Sequence, residues 1–275
     1  MKSRRRHRIQ DHTEDAQHKK FIRKYGKGFI ENLPPRFKVL KQIGKGAFGS
    51  VYLLCQIEDN GCIPKYVLKI QKKPISMTTK KFVRDIEREV EMHAEFQSYK
   101  LAPELIADYM FYKGKQLFSV IIMKKVNVIT DDLDSFPNNR SDVNEYCKAV
   151  VKGVDGIVKQ MCKHGLSHGD MHNENIAFIG ERALWDTPKP YKLILIDFGK
   201  AVLRKCSPSM EILQLIRTIM IDKQKFKNID LYDCLIAHLY ALYVKYVGKI
   251  NAVPLDFDDI HEEYSRLNAA QEEMF

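Results

Sequence analysis

Residues 168–175 of this sequence, His-Gly-Asp-Met-His-Asn-Glu-Asn, contain side chains that can move a proton and bind a cation. Asp170 and Asn175 are close enough in sequence for both side chains to face one cavity across a tight loop. The Asp170 carboxylate can accept the proton of a substrate hydroxyl or orient that hydroxyl, and the Asn175 amide oxygen can bind a hard cation. His168 is more typical of a packed, hydrogen-bonded scaffold residue than of a catalyst.

A second acidic residue, Asp197, follows the apolar run Ile194–Ile196 and precedes Phe198-Gly199. A carboxylate at the end of a buried strand is costly unless a cation needs it, and Mg²⁺ that bridges nucleotide phosphates is such a cation. An aspartate in an ordinary turn is the alternative, because these three residues taken alone are not specific.

Residues 44–51 form a glycine cluster, Gly-Lys-Gly-Ala-Phe-Gly-Ser-Val, between two segments of strand-like sequence. A dinucleotide-binding glycine loop runs from a strand into a helix, but here a strand follows, so we expect the tip of a β-hairpin. Glycines at such a tip let backbone N–H groups close over phosphates without obstruction by Cβ atoms. A glycine-rich hairpin that binds no ligand is the alternative.

Lys69 lies within the apolar strand-like segment Tyr66–Ile70. A lysine there is costly unless its ammonium meets an anion, although the side chain can also reach solvent. Glu89, on a predicted helix, is our choice for the carboxylate that orients Lys69. Glu87 lies near the same inward face and remains an alternative, and a helix this rich in glutamate is by default solvated.

The order of the predicted elements indicates how these residues are positioned. The predicted strands are Phe37–Ile43, Val51–Ile57, Lys65–Ile70, Leu117–Met123, Ile176–Ile179 and Lys192–Ile196, and the predicted helices are Thr78–Ser98, one from Ser141 or Asp142 to Gly165, Pro208–Ile221, Ile229–Tyr246 and Phe257–Asn268. Glu145 is placed for a capping box on Asp142. A β-rich segment with one helix precedes a helix-rich segment with a small β insert, which predicts an α+β fold of two lobes with a cleft between them.

Composition divides the chain into a basic extension and one large domain. Residues 1–33 are polar and basic, and Pro34-Pro35 closes them. We predict a flexible extension over residues 1–33 and a domain over residues 34–275, with an N-lobe at 34–123, a hinge at 124–127 and a C-lobe at 128–275. The basic run is typical of a solvated tail, and the alternative is a segment for nuclear import or nucleic-acid contact.

The bulk composition indicates an intracellular protein with acidic partners. The formal net charge is +10, which favours nucleic acid, acidic protein segments or phosphate-bearing ligands. Six cysteines are scattered without a C-x-x-C pair, which predicts reduced thiols. No apolar run is long enough to cross a bilayer, and the N-terminus lacks the apolar stretch of a signal peptide. We therefore expect a soluble protein of the cytoplasm or nucleus without a membrane partner, and the sequence does not predict the oligomeric state.

Taken in order, the glycine cluster, Lys69, the acidic helix, residues 168–175 and Asp197-Phe198-Gly199 resemble the protein-kinase superfamily. The resemblance runs from about Phe37 to Gly199. It implies a bilobal protein-kinase-like fold with an antiparallel β-sheet and one helix in the N-lobe and a mainly helical, reduced C-lobe. It also implies a phosphotransferase that uses ATP and Mg²⁺ to phosphorylate Ser or Thr of a protein substrate.

Three features depart from the usual pattern of that superfamily. Gly169 stands where most protein kinases have an arginine that pairs with a phosphorylated activation loop. His172 stands where Ser/Thr kinases have a lysine; it can still donate to the transferred phosphoryl group, or it merely lines the loop. No Ala-Pro-Glu segment follows Gly199, which predicts a truncated activation segment. These traits resemble the compact atypical kinases, namely the RIO kinases, haspin and the KEOPS-complex kinase, and the reduced kinases of large DNA viruses, which would act in the host cell.

The resemblance implies a role for each matching residue. Lys69, held by Glu89, would bind the α- and β-phosphates, and Asp170 would position the acceptor hydroxyl for in-line attack. The implied catalytic residues are Asp170, Lys69, Glu89 and His172, and the implied metal ligands are Asn175 and Asp197.

The implied nucleotide-binding surface lies on the predicted N-lobe. Val51 and Val67 would enclose the adenine, with Met123 as gatekeeper beside a hinge at Lys124–Val126. The full set is Ile43, Gly44, Lys45, Gly46, Ala47, Phe48, Gly49, Ser50, Val51, Val67, Lys69 and Met123. Two alternatives stay open: a small-molecule kinase that resembles the aminoglycoside and choline kinases, and a kinase-shaped scaffold that binds nucleotide without turnover.

Overall fold

The computed structural model describes residues 37–46, 49–59, 61–130, 133, 136–137, 142–179, 192–203 and 206–272, together with Lys19, Phe21 and Arg23–Tyr25. Ala47 and Phe48 of the glycine cluster lie outside the described residues. The chain divides into two compact units, of which the first comprises Met1–Ala94 and Pro103–Lys125 and the second comprises Glu95–Ala102 and Val126–Phe275.

The first unit is built on an antiparallel sheet of five strands in the order β1-β2-β3-β5-β4. The strands are β1 (Phe37–Lys45), β2 (Gly49–Glu58), β3 (Gly61–Lys72), β4 (Leu105–Lys113) and β5 (Gln116–Lys124), and helix α1 (Thr79–Ser98) lies between β3 and β4 in the chain. Strand β4 was not predicted. It lies at the edge of the sheet and buries only Phe111 fully, so it lacks the alternation of apolar and polar residues that marks a half-buried strand.

Apolar residues cover both faces of this sheet, because successive residues of a strand point to opposite sides. On β3, Leu68 and Ile70 are buried in a cluster on one face, whereas Val67 is buried with Met123 in a cluster on the other face. Lys69 therefore lies on the same face as Val67. Helix α1 contributes Val90 to the cluster on that face.

Two aromatic residues from the N-terminal segment complete the opposite face of the sheet. Phe21 and Tyr25 are 3% and 6% exposed, and they pack edge-on against Tyr52 of β2. The Tyr25 and Tyr52 hydroxyls are 3.1 Å apart and share a hydrogen bond. The prediction of a flexible extension over residues 1–33 is wrong for these two residues, because the basic composition of the segment concealed an aromatic pair at helical spacing.

The second unit is mainly helical. Its elements are helices α2 (Val143–Lys163), α3 (Pro208–Ile221), α4 (Ile229–Val247) and α5 (Phe257–Glu272), and short strands β6 (Asn127–Val128), β7 (Leu166–Ser167), β8 (Ile176–Phe178), β9 (Leu193–Leu195) and β10 (Val202–Leu203). Strands β6, β8 and β9 form one small sheet, and β7 and β10 form another. Helix α3 packs against α2, α4 and α5, and most of its residues are buried.

The α+β class with an antiparallel sheet and one helix in the first unit is confirmed, and the second unit is mainly helical as predicted. Asp142 occupies the N-cap of α2 as predicted, but its side chain makes no capping hydrogen bond, so this half of the predicted capping box is wrong. Among the described residues, no helix has the length and apolar character that a membrane span requires.

Four of the six cysteines are paired in disulfides, which join Cys55 to Cys62 and Cys162 to Cys206. The expectation of reduced thiols is therefore wrong for these four, whereas Cys147 and Cys234 remain thiols. The spacing of the cysteines could not show the pairs, because the fold creates them. The β2–β3 hairpin brings the first pair together, and the return of the chain from the end of α2 to the start of α3 brings the second pair together.

Candidate active site

The ammonium of Lys69 on β3 and the carboxylate of Glu89 on α1 form an ion pair, with Nζ and Oε1 2.7 Å apart. Both side chains are largely closed to solvent, at 16% and 8% exposure. Of the two glutamates that the sequence left open, Glu89 is the one that meets Lys69, and Glu87 is exposed. The pairing fixes a cation on the face of the sheet that carries Val67.

Gln71 supports this ion pair and was not predicted. Its amide nitrogen donates to the second carboxylate oxygen of Glu89 at 3.2 Å, so both oxygens of Glu89 have partners. Ser119 of β5 in turn donates to the amide oxygen of Gln71 at 3.4 Å. The sequence spacing could have indicated this role, because Gln71 lies two residues after Lys69 on β3 and must therefore lie on the same face of the sheet.

His93 lies one turn after Glu89 on α1 and is almost completely buried. Its Nε2 is 2.8 Å from the backbone oxygen of Pro103. Burial lowers the pKa of His93, which favours the neutral imidazole. This contact ties α1 to the start of β4 and so stabilises the position of Glu89.

The glycine cluster lies at the tip of the β1–β2 hairpin, as the sequence predicts. Gly46 donates its N–H to the carbonyl of Gly49 at 3.0 Å, and Gly44 pairs with Val51. A Cβ atom at Gly46 would meet nothing within 4 Å, whereas one at Gly49 would collide with the carbonyl oxygen of Ile70. The backbone of Gly46 is therefore accessible to a ligand, whereas the missing side chain at Gly49 lets β2 pack closely on β3.

The apolar residues predicted to contact the nucleotide share one face of the sheet. Val67 lies opposite Met123 in the β3–β5 register and opposite Leu53 in the β2–β3 register. Val51 is half-buried against the same cluster, and Ile43 and Lys45 on β1 are exposed. The face that carries Lys69 is therefore also apolar, which suits a ligand with a flat ring and an anionic chain.

In the second unit, Asn175 closes a short 3₁₀ turn, Asn173–Asn175, and lies against the backbone of Asp170. Its Nδ2 donates to the Asp170 carbonyl oxygen at 2.9 Å. That bond assigns the donor end of the amide to the loop and leaves Oδ1 as the end that can bind a cation. The Asn175 carbonyl accepts the N–H of Ile196 at 3.0 Å, which connects this turn to the residue before Asp197.

Asp197 adopts a left-handed backbone conformation, with φ of 62°. This conformation is uncommon for a residue with a side chain and is often found at functional sites. The next residue, Phe198, is buried against Phe96 and His168, with ring centroids 4.8 and 5.5 Å away. Phe198 thus anchors the segment while Asp197 stays exposed.

His168 is completely buried beneath this segment. Its Nε2 is 3.0 Å from the backbone oxygen of Ile196, and burial lowers its pKa, which favours the neutral form. The contact suits the scaffold role that the sequence suggests. His172 is half-buried and precedes the 3₁₀ turn, and no hydrogen bond in the described part of the chain joins its side chain to another predicted site residue.

The carboxylate of Asp170 is held from two sides by residues that sequence reasoning missed. Its Oδ1 accepts from Lys200 Nζ at 2.9 Å and from Gln214 Nε2 at 3.2 Å. Gln214, on α3, also accepts the N–H of Met171 at 3.1 Å. The Asp170 side chain remains 29% exposed, so a hydroxyl can still reach it.

A second polar residue of α3 holds the segment before Asp170. One carboxylate oxygen of Glu211 accepts from the Ser167 hydroxyl at 2.7 Å and from the His168 N–H at 2.9 Å. Glu211 and Gln214 lie one turn apart in a helix whose other buried residues are apolar. The sequence offered a clue, because two polar residues within an apolar helix face must find hydrogen-bond partners once they are buried.

The residues that could bind a divalent metal are Asp197 and Asn175. Among the described residues, no group of three or more His, Cys, Asp or Glu side chains could hold a metal ion by itself. Mg²⁺ characteristically takes one or two protein oxygens and completes its shell with phosphates and water. One carboxylate and one amide oxygen therefore fit a magnesium ion that arrives with a phosphate ligand.

Comparison with known proteins gives two findings. The family model described as "Protein kinase domain" matches residues 37–218. Among curated proteins, calcium-dependent protein kinase 14 of Arabidopsis thaliana is 26% identical over 173 residues, which cover 62% of this chain and 29% of that kinase. The matched region thus spans less than a third of the relative's length.

Proposed function

We propose that this chain, which belongs to the protein kinase domain family, transfers the γ-phosphoryl group of Mg-ATP to a Ser or Thr hydroxyl of a protein. Membership of the family implies phosphate transfer from ATP, with a divalent metal, to a protein. Mg²⁺ as the metal and Ser or Thr as the acceptor are the finer parts of the proposal. The similarity to a relative that is named as a protein kinase supports a protein acceptor.

The observation that carries the proposal is the ion pair between Lys69 and Glu89. In protein kinases this pair must be in place for catalysis, because the lysine grips the phosphates of ATP. Here it is formed at 2.7 Å, and Gln71 occupies the remaining oxygen of Glu89. The first unit thus presents a cation that is already oriented for a phosphate.

In the second unit, Asp170 receives the acceptor. The hydroxyl oxygen forms a bond to the γ-phosphorus, the bond from that phosphorus to the oxygen of ADP breaks, and the hydroxyl proton passes to the Asp170 carboxylate and then to solvent. Asp197 and Asn175 would hold Mg²⁺, which neutralises charge on the phosphates when bound. The protein mainly positions groups and balances charge.

The test is phosphorylation with γ-labelled ATP and Mg²⁺. The purified protein is incubated alone, with casein, with histones, and with an aminoglycoside or choline, and the labelled amino acid is identified after acid hydrolysis. We expect phosphoserine or phosphothreonine. Label found only in added aminoglycoside or choline, or no transfer at all, would contradict the proposal.

Asp197→Asn supplies the first mutational prediction. Asparagine tolerates the left-handed backbone at this position but removes the carboxylate charge. We expect turnover to fall by at least about a hundredfold, because the metal loses its anionic ligand, while the circular dichroism spectrum stays unchanged. Asp233→Asn, an exposed position on α4, is the matched control and should retain full activity.

A further inference from the structure

We propose that Lys200 is a further phosphate-binding residue of this site, and that it contacts the phosphoryl group during its transfer. This inference rests on the proposed kinase function. Lys200 Nζ lies 2.9 Å from Asp170 Oδ1, and 66% of the Lys200 side chain is exposed. An exposed surface ion pair contributes little to stability, so the position of this ammonium matters more than its pairing energy.

The backbone places Lys200 beside Asp170 through a close approach that only glycine permits. Gly169 has a φ of 69°, and a Cβ atom there would lie 2.6 Å from the Lys200 carbonyl oxygen and 3.5 Å from the Lys200 Cβ. Any side chain at residue 169 would therefore push the Lys200 backbone away. The glycine that replaces the arginine expected at residue 169 thus has a structural role.

A short sheet holds the same two segments in register. Strand β10 pairs with β7, with Val202 opposite Ser167 and Leu203 opposite Leu166. The Ala201 N–H also donates to the Phe198 carbonyl at 3.0 Å, which closes the turn that carries Lys200. Lys200 is therefore fixed at both ends of its turn, and only its flexible side chain is free to move.

Phosphoryl transfer explains how the Lys200 ammonium would act. A hydroxyl that Asp170 orients must lie next to the γ-phosphorus that it attacks. Because the Lys200 ammonium contacts Asp170 Oδ1, a change of the Lys200 side-chain rotamer can bring that ammonium to the phosphoryl oxygens. A charge-assisted hydrogen bond from the Lys200 ammonium to a phosphoryl oxygen would stabilise the negative charge on the group in transfer.

Among the described residues, no other lysine or arginine contacts Asp170. Residue 172 is histidine, which has no permanent charge, whereas a lysine ammonium is charged at neutral pH. Gln214, the other partner of Asp170 Oδ1, is neutral. Lys200 is therefore the one permanent cation that contacts Asp170 among the described residues.

The experiment compares Lys200→Met with Lys159→Met under steady-state conditions, with Mg-ATP and the protein's own phosphorylation or casein as readout. Lys159 is a matched control, because it is 57% exposed and pairs with Asp155 at 2.8 Å on α2, a helix that carries none of the proposed catalytic or metal-binding residues. We expect Lys200→Met to lower kcat by about 10- to 100-fold with KM for ATP changed less than about threefold. Lys159→Met should match the wild type in both constants.

A rescue variant separates a chemical role from a structural one. In the Lys200→Met background, His172→Lys places a lysine two residues after Asp170, and we expect kcat to recover at least about fivefold. Lys200→Met with kcat at or above that of the wild type would overturn the inference, since Lys200 would then be a spectator or a lock on Asp170. A wild-type protein that is itself inactive would instead overturn the proposed function, and this inference with it.

Discussion

The buried ion pair of Lys69 and Glu89 shows how single residues determine this site. Removing two charges from water costs several kcal/mol per ion, and their attraction only partly offsets that cost, so such a pair adds little net stability. Its benefit is position, because Gln71 and the pairing of β3 with β5 leave Glu89 and Lys69 little freedom. A phosphate that meets this ammonium replaces part of the hydration that folding removed.

Lys69→Met tests this role at the scale of one residue. Methionine keeps the apolar stem but removes the ammonium, so we expect kcat/KM for ATP to fall by about 10²- to 10⁴-fold with the fold intact. The measurement is steady-state transfer from labelled ATP. Lys65→Met is the control, since Lys65 lies on the same strand and pairs with Glu58 at 2.6 Å on the surface. A similar loss in both variants would contradict the assignment.

At the scale of elements, helix α3 positions the candidate site residues of the second unit. Its bounds, Pro208–Ile221, were predictable because Pro208 suits a first helical turn and the residues after it are helix formers. What could not be predicted is the partner of each buried polar residue. Periodicity shows which residues lie inside, but only the packing of α3 under residues 166–171 shows that Glu211 and Gln214 face that loop. Lys200 was missed for the same reason, because its contact depends on the β7–β10 pairing.

Gln214→Met tests how α3 positions Asp170. The variant removes one hydrogen bond to Asp170 and leaves the Met171 N–H without its acceptor, so we expect kcat to fall about tenfold and the free energy of unfolding to fall by about 1–3 kcal/mol. Arg217→Met, on the same helix, loses a hydrogen bond to His261 of α5 and touches neither Asp170 nor Met171 in the described structure. It should lower stability without lowering kcat. Equal kcat values for the two variants would show that Gln214 is structural only.

At the scale of the whole chain, Phe21 and Tyr25 add to the core although they precede the region that the kinase family model matches. The family match begins at residue 37, yet Phe21 and Tyr25 fill one face of the sheet in the first unit. The sequence predicted four of the five strands of that sheet, because their segments are rich in apolar, β-prone residues, but it missed β4. It did not predict what covers the face, because two aromatic residues within a basic segment are too weak a pattern.

Phe21→Ala tests whether this segment is part of the folded core. Phe21 is 3% exposed and contacts both Tyr25 and Tyr52, so its loss leaves a cavity, and we expect the free energy of unfolding to fall by about 3 kcal/mol. Urea unfolding followed by circular dichroism gives the free energy, and hydrogen exchange of β1 and β2 locates the effect. Lys19→Ala is the control, since Lys19 is exposed on the same segment and should change stability by less than about 0.5 kcal/mol. If both variants unfold like the wild type, the aromatic residues do not contribute to the core, and the segment behaves as the solvated extension that its charge suggests.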